Sequence, residues 1–193
     1  MRVLIISGEL SSPQRMTYCT PPDWDSRTID IRSPEITALV SKFDDPLSIS
    51  EEDIGPCMQD AMSRVLGEIQ AYDPTAVLSV GFGADVMAAL RARALYLGPT
   101  VIVDPYGFYR SVTVLLRRRR DSGAPADAVW VSSGAGPLSH AARHSRQGIG
   151  RDRAGTVVSV QSLDDAYATG LISSCVRLAV RAGRSPSPYT MGT

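Results

Sequence analysis

Short runs of β-branched residues recur along this chain, and helical patterns separate several of them. Each run ends at Gly, Pro, Asp or Ser, which favour a turn over the continuation of a strand. The runs are 2–7, 27–32, 76–80, 100–104, 128–132 and 156–160. Strands joined through helices pair in parallel and are covered by helices on both faces. The sequence therefore predicts an α/β fold with a mostly parallel sheet of about six strands.

The segment between the second and third runs shows the clearest helical period. Ser50 and Asp53 have the spacing of a capping box, which starts a helix. Apolar residues then recur on one face, at Ile54, Met58, Ala61, Met62, Val65, Leu66, Ile69 and Tyr72. This spacing predicts an amphipathic helix whose apolar face packs against the core. Further helices are predicted over 84–97, ending at a Gly-Pro step, and over 164–182.

The composition fits one domain, which we expect over 1–183 with a loosely ordered tail over 184–193. The 20 basic and 20 acidic side chains balance, so no net field attracts a nucleic acid or an anionic membrane. Cys19, Cys57 and Cys175 show no paired spacing, which is typical of reduced thiols. The chain contains no apolar run of the length that spans a membrane. We therefore expect a cytoplasmic location.

The run 76–90 combines a strand, a tight turn and a helix of small residues. Ser79 and Gly81 stand where the nucleophile turn of α/β-hydrolases has its first Gly and its Ser. Four more segments resemble that superfamily in the same order, namely 3–10, 24–33, 100–105 and 129–134. Residues 2–182 of this chain thus resemble the superfamily from the superfamily's third strand onward. The resemblance is to a small, lid-poor, thioesterase-like member and implies an α/β-hydrolase-like sheet.

The resemblance also implies positions for a catalytic triad, and none of them holds a triad residue. Gly81 stands at the position of the nucleophile, Gly136 at that of the acid and Asp165 at that of the histidine. Serine attack at neutral pH needs a hydroxyl, an imidazole and an orienting carboxylate. We therefore expect no ordinary serine-esterase activity.

The electrostatic part of such a site does not depend on the triad. The N–H of Phe82 and an N–H near Glu9 or Leu10 would form an oxyanion hole at the turn around Gly81. One donor of this kind contributes about 10²–10³ in rate. The resemblance therefore implies Gly81, Phe82, Glu9 and Leu10 as residues that bind a substrate.

Two acids are candidates for proton transfer beside this turn. Asp104 ends a strand at the same sheet edge as Gly81, where some thioesterase-like members carry their triad Asp. Asp165 follows Asp164, and crowding of two carboxylates favours proton uptake by one of them. Alternatively, Asp164 and Asp165 are solvated turn or cap residues without a catalytic role. Asp104 and Asp165 are the catalytic candidates.

Aromatic residues follow the same strand. Tyr106 and Tyr109, with Phe108 and Trp24, are candidates for lining an aromatic pocket over the sheet edge. Packing without a ligand is the alternative, because amphipathic aromatics often begin loops. We expect Tyr106 and Tyr109 to contact the substrate.

Other polar residues have structural explanations as well as functional ones. Ser79 lies on a buried central strand, whereas Asp85 suits the dipole at the start of its helix and is also a candidate acid or base. His140 and His144 share a helix face but have no third metal ligand near them. The arginine run 117–120 suits a helix C-terminus, or alternatively clamps an acidic substrate or the phosphopantetheine arm of a carrier protein.

Two classes of function remain open. The chain is either a repurposed enzyme that cyclises, eliminates from or rearranges a small carbonyl-bearing metabolite, or a non-catalytic pseudo-hydrolase that binds or scaffolds. A dinucleotide site is disfavoured, because Val86 stands where the third glycine of its fingerprint would be. We expect a small-molecule metabolite as partner, with a carrier protein and a homodimer as further candidates. Nucleic acid, membrane, metal and cofactor are not expected.

Overall fold

The computed structural model describes residues 1–8, 20–42, 51–103, 128–133, 156–160 and 163–184. The strands are β1 (Arg2–Gly8), β2 (Asp25–Asp30), β3 (Ala76–Gly81), β4 (Thr100–Val103), β5 (Ala128–Ser133) and β6 (Thr156–Val160). The helices are α1 (Pro34–Lys42), α2 (Glu51–Tyr72), α3 (Phe82–Ala92), α4 (Leu163–Ala168) and α5 (Leu171–Arg184). Among the described residues, no helix is both long enough and apolar enough to cross a membrane.

The strands form one parallel sheet in the order β2-β1-β3-β4-β5-β6. The residues of β3 are all buried, as are those of β1 after Arg2. Their near-continuous apolar sequences fit strands that are covered on both sides. The predicted α/β character, with a parallel sheet and helices, is confirmed.

Helices cover both faces of the sheet. One face, which we name the α5 face, carries Val3, Ile5 and Val80, and these residues form one buried cluster with the apolar side of α5. The other face, which we name the α2 face, carries Leu4 and Ile6 in a second cluster with α1, α2 and α3. Alternate residues of a strand point to opposite faces, so the two clusters follow from the strand sequences.

The predicted amphipathic helix is confirmed as α2. Its buried residues are Ile54, Met58, Ala61, Met62, Val65 and Ile69. Leu66 and Tyr72 are partly buried and pack against the same cluster. The proposed cap at Ser50 lies outside the described residues.

Two predicted boundaries are wrong. Strand β2 occupies Asp25–Asp30 rather than 27–32, because the Asp30 carboxylate accepts a hydrogen bond from the main-chain N–H of Arg32 at 3.0 Å and holds a turn there. Helix α3 ends at Ala92 rather than at 97, and Ala94 then adopts a φ of 57°. The buried Arg91 side chain donates to the Gly98 carbonyl at 2.7 Å and spans this turn.

The predicted helix over 164–182 is two helices. Gly170, with a φ of 70°, separates α4 from α5. Glycine adopts this left-handed conformation without the penalty that a Cβ imposes. The chain direction therefore changes between the two helices.

Helix α1 was not predicted from the sequence. Ser33 caps it, since its hydroxyl accepts a hydrogen bond from the N–H of Ile36 at 3.1 Å. Pro34 is the first helical residue and Glu35 lies in the first turn, a typical start of a helix. That start was visible in the sequence, and Ile36 is buried in the cluster on the α2 face.

Candidate functional site

The strand order creates a topological switch point between β1 and β3. The chain continues from β1 to β2 on one side and from β3 to β4 on the other. In open parallel sheets, ligands bind outside the carboxyl ends of the strands at such a point. The register pairs the last residues of the two strands, Gly8 and Gly81. The Gly8–Gly81 pair therefore marks the candidate site.

The turn at Gly81 joins β3 directly to α3. Gly81 has φ 59° and ψ −128°, and α3 begins at the next residue. A residue with a Cβ is strained at this positive φ, whereas glycine is not. Gly81 therefore permits a sharp strand-to-helix turn whose tip lies at the sheet edge. The strand, turn and helix that the sequence predicts around this residue are confirmed.

Glycines let β1 approach the first turn of α3 closely. A Cβ placed on Gly8 would lie 2.5 Å from the main-chain nitrogen of Gly83 and 2.8 Å from Cβ of Phe82. A Cβ placed on Gly83 would lie 2.6 Å from the carbonyl oxygen of Ile6. Both distances are shorter than real contacts, so side chains are excluded at these two positions. Gly8, the last residue of β1, therefore lies against the first turn of α3, beside the Gly81 turn.

Phe82 contributes to this site through its main chain. Its side chain is fully buried in the cluster on the α2 face, so it is not available to line a pocket at the sheet edge. Its N–H belongs to the first turn of α3, where main-chain donors and the helix dipole favour negative charge. Asp85, in the same turn, is also fully buried.

Most of the other predicted site residues lie outside the described residues. These are Asp104, Glu9, Leu10, Tyr106 and Tyr109. The last residue of β4 is Val103, and Asp104 follows it in sequence.

Asp165, the second catalytic candidate, lies in a helix. Asp165 is the third residue of α4, whose first residue is Leu163. Helix α5 then packs on the α5 face, and the guanidinium of Arg177, in the middle of this helix, lies 5.5 Å from the Trp24 ring. Since Trp24 precedes the first residue of β2, α5 runs toward the amino edge of the sheet. Helix α4 therefore lies toward the carboxyl edge, on the side of the Gly81 turn.

Two residues considered from the sequence have structural roles. The Ser79 side chain is fully buried, and its hydroxyl donates a hydrogen bond to the Val101 carbonyl at 3.1 Å, so its structural interpretation is confirmed. Trp24 lies at the amino edge of the sheet and is buried in the cluster on the α5 face. For Trp24, the alternative of packing without a ligand is therefore confirmed.

A charged pair, Asp30 and Arg32, lies at the carboxyl end of β2, within the segment 24–33 that resembles the superfamily. The Asp30 carboxylate accepts hydrogen bonds from the Arg32 side chain, with Nε at 2.9 Å from Oδ1 and 2.7 Å from Oδ2. Arg64 of α2 donates to the Asp30 carbonyl at 3.2 Å. Burial raises the pKa of Asp30, but the hydrogen bonds and charge of Arg32 outweigh it, so the pKa is lowered. The Asp-x-Arg sequence is the signal for this group.

The Asp30 carboxylate is used by these contacts rather than presented to a ligand. With the Arg32 main chain and guanidinium on its two oxygens, most of its acceptor capacity is taken. We interpret the pair as the structural end of β2. No group of three His, Cys, Asp or Glu residues within the described ranges is arranged to hold a metal ion.

No family model matches the sequence, and no curated protein matches it.

Proposed function

We propose that this chain is an α/β-hydrolase-like protein without a Ser-His-Asp triad, which binds a small carbonyl-bearing metabolite and promotes its cyclisation, elimination or rearrangement. The site is the switch point between β1 and β3. A cytoplasmic location and a substrate delivered free or on a carrier protein belong to the same proposal.

The conformation of Gly81 carries this proposal. A φ of 59° at the last residue of a central strand, immediately before a helix, matches the sharp turn that presents the nucleophile in α/β-hydrolases. Backbone conformations of this sparsely populated kind cluster at functional sites. In this chain the turn has no side chain at its tip, so the backbone geometry is kept while nucleophilic attack is impossible.

The proposed chemistry needs no covalent intermediate. N–H groups of the first turn of α3, that of Phe82 among them, would stabilise negative charge that develops on a substrate oxygen, with a second donor near Glu9 or Leu10. Asp104 and Asp165 are the proposed proton carriers, and Tyr106 and Tyr109 the proposed pocket walls. Holding a flexible chain in a reactive conformation supplies a further part of the rate.

A thioester that can cyclise on itself tests the proposal. The N-acetylcysteamine thioester of triacetic acid either forms a lactone, when its enol oxygen attacks the thioester carbonyl and releases the thiol, or is hydrolysed to the free acid. Liquid chromatography with mass spectrometry separates the two products. We expect the protein to accelerate lactone formation over buffer and leave hydrolysis of this thioester and of p-nitrophenyl acetate unchanged.

Single substitutions test whether the acceleration of lactone formation depends on the proposed site residues. Asp104→Ala and Asp165→Ala should each abolish the acceleration, whereas Gly67→Ala, on α2 with open space around its Cβ, should keep it. Faster hydrolysis of p-nitrophenyl acetate would contradict the loss of esterase chemistry. Absence of any acceleration would favour a non-catalytic pseudo-hydrolase.

A further inference from the structure

Strand β2 forms an edge of the sheet that is open to solvent. It pairs with β1 on one side, and among the described residues no strand pairs with its other side. All of its residues except Ile29 are exposed. An edge strand presents main-chain donors and acceptors that can pair with another chain, unless the edge is protected.

The hydrogen bonds of β2 show which of its residues face the open edge. Asp25 donates its N–H to the Met1 carbonyl, and Ile31 donates its N–H to the Ser7 carbonyl, both at 3.0 Å. Because the main-chain groups of successive strand residues point to opposite sides, every second residue from Asp25 to Ile31 faces β1. The residues between them direct their main-chain groups to the open edge, and these are Ser26, Thr28 and Asp30.

The charged side chains of β2 are engaged within the molecule and do not shield this edge. The Arg27 guanidinium lies 3.0 Å from the Glu68 carboxylate and 6.0 Å from the Tyr72 ring, both on α2. The Asp30 carboxylate accepts hydrogen bonds from Arg32. The strand contains neither proline nor lysine, which commonly protect sheet edges from pairing.

The sequence of β2 is complementary to a second copy of itself. In a twofold dimer the two β2 strands run antiparallel, and only edge-facing residues can form the hydrogen-bonded pairs. Centred on Arg27, the overlap 25–29 would place two guanidinium groups directly opposite each other, which is unfavourable. Centred on Thr28, the overlap 26–30 places Thr28 opposite itself and Ser26 opposite Asp30 of the second copy, so no like charges face each other.

We propose that this chain forms a homodimer in which the β2 strands of two copies pair antiparallel about Thr28 and join the two sheets into one. Thr28 then exchanges both main-chain hydrogen bonds with its own copy, and Ser26 does so with Asp30 of the second copy. A pair of threonines directly opposite each other is favourable in antiparallel strands. The interface lies at the β2 edge rather than between β1 and β3, so this inference does not depend on the proposed function.

Opposite charges introduced at Thr28 test both the interface and its register. Sedimentation velocity over a dilution series measures association, and the dimer has twice the 20.7 kDa mass of one chain. Thr28→Lys and Thr28→Asp should each weaken association by about 10-fold or more, because like charges then meet across the twofold axis. An equimolar mixture of the two variants should associate again, and native mass spectrometry should identify the heterodimer by its mass.

Matched controls separate this effect from the general effect of a new charge. Leu95→Lys and Leu95→Asp introduce the same charges at an exposed position between α3 and β4, and both should associate as the wild type does. Thr28→Val keeps the main-chain N–H and the branched shape, so it should keep the dimer as well. Circular dichroism compares the folding of all variants.

Amide exchange of the wild type tests the same interface without a substitution. Followed by nuclear magnetic resonance, the N–H groups of Ser26 and Thr28 should exchange more slowly in concentrated than in dilute protein, because dimerisation gives them hydrogen-bond partners. Exchange that does not depend on protein concentration would overturn the inference.

The other outcomes each contradict a defined part of the inference. A wild type that stays monomeric at the highest concentration refutes the dimer and leaves the proposed function standing. A wild-type dimer that Thr28→Lys and Thr28→Asp leave intact would place the interface elsewhere. If both variants dissociate but their mixture does not associate, the pairing of Thr28 with itself is wrong.

Discussion

Replacing Gly83 with alanine tests the close approach of β1 to α3. Gly83 lies in the first turn of α3, and a Cβ there would be 2.6 Å from the Ile6 carbonyl oxygen and 2.9 Å from its Cγ2. The Ile6 carbonyl belongs to a central strand between β2 and β3, so it cannot withdraw without disturbing the sheet. Forcing a methyl group into a packed region of this kind costs about 1–3 kcal/mol.

Gly67 is the matched control for this substitution. It lies inside α2, and a Cβ there would meet no atom within 4 Å. Replacing a glycine inside a helix by alanine stabilises a protein by about 0.5–1 kcal/mol, because alanine loses less backbone entropy on folding. The same chemical change is therefore expected to act in opposite directions at Gly83 and Gly67.

Urea unfolding followed by circular dichroism measures the difference. The two variants are expected to differ by about 1.5–4 kcal/mol in the free energy of unfolding. With a slope of about 2 kcal/mol per molar urea, this separates their midpoints by about 0.8–2 M. A Gly83→Ala variant as stable as the wild type, with Gly67→Ala stabilised as expected, would refute the contact between β1 and α3.

Three further outcomes are expected. Gly81→Ala should lower the free energy of unfolding by about 1–3 kcal/mol, because alanine is strained at the positive φ of this turn; urea unfolding with an unchanged midpoint would contradict the turn geometry. The pKa of Asp30 is lowered from 3.8, so its pairing with Arg32 stabilises the fold above that pH, and this stabilisation is lost as the pH falls through the lower folded value. The difference in the free energy of unfolding between wild type and Asp30→Asn should therefore shrink on acidification. A difference that grows would contradict this reasoning. Burial raises the pKa of the Cys175 thiol, so iodoacetamide should modify the half-buried Cys57 first, as peptide mass spectrometry can show; faster modification of Cys175 would contradict its burial.

The parts of the fold that local patterns determine could be predicted from the sequence. The face of α2 follows from a helical period sustained over several turns, and the turn at Gly81 follows from a strand, glycines and a run of small residues. Other boundaries depend on side-chain contacts that no local pattern encodes. Helix α3 ends at Ala92 because Ala94 turns the chain and Arg91 spans the turn.

The candidate site was predictable only where the sequence marks backbone geometry. Gly81 stands out because of its neighbours, whereas its position beside Gly8 appears only when β1 and β3 are paired in register. The packing of Gly8 against Gly83 likewise joins residues that are distant in sequence. Such contacts arise from tertiary structure, so a single sequence does not reveal them.

A crystal structure of the protein with acetoacetyl-N-acetylcysteamine tests the central claim most directly. We expect the probe at the carboxyl edge between β1 and β3, with one carbonyl oxygen within hydrogen-bond distance of a main-chain N–H in the first turn of α3. Apolar side chains filling the space above Gly81, with no probe bound there, would contradict the account.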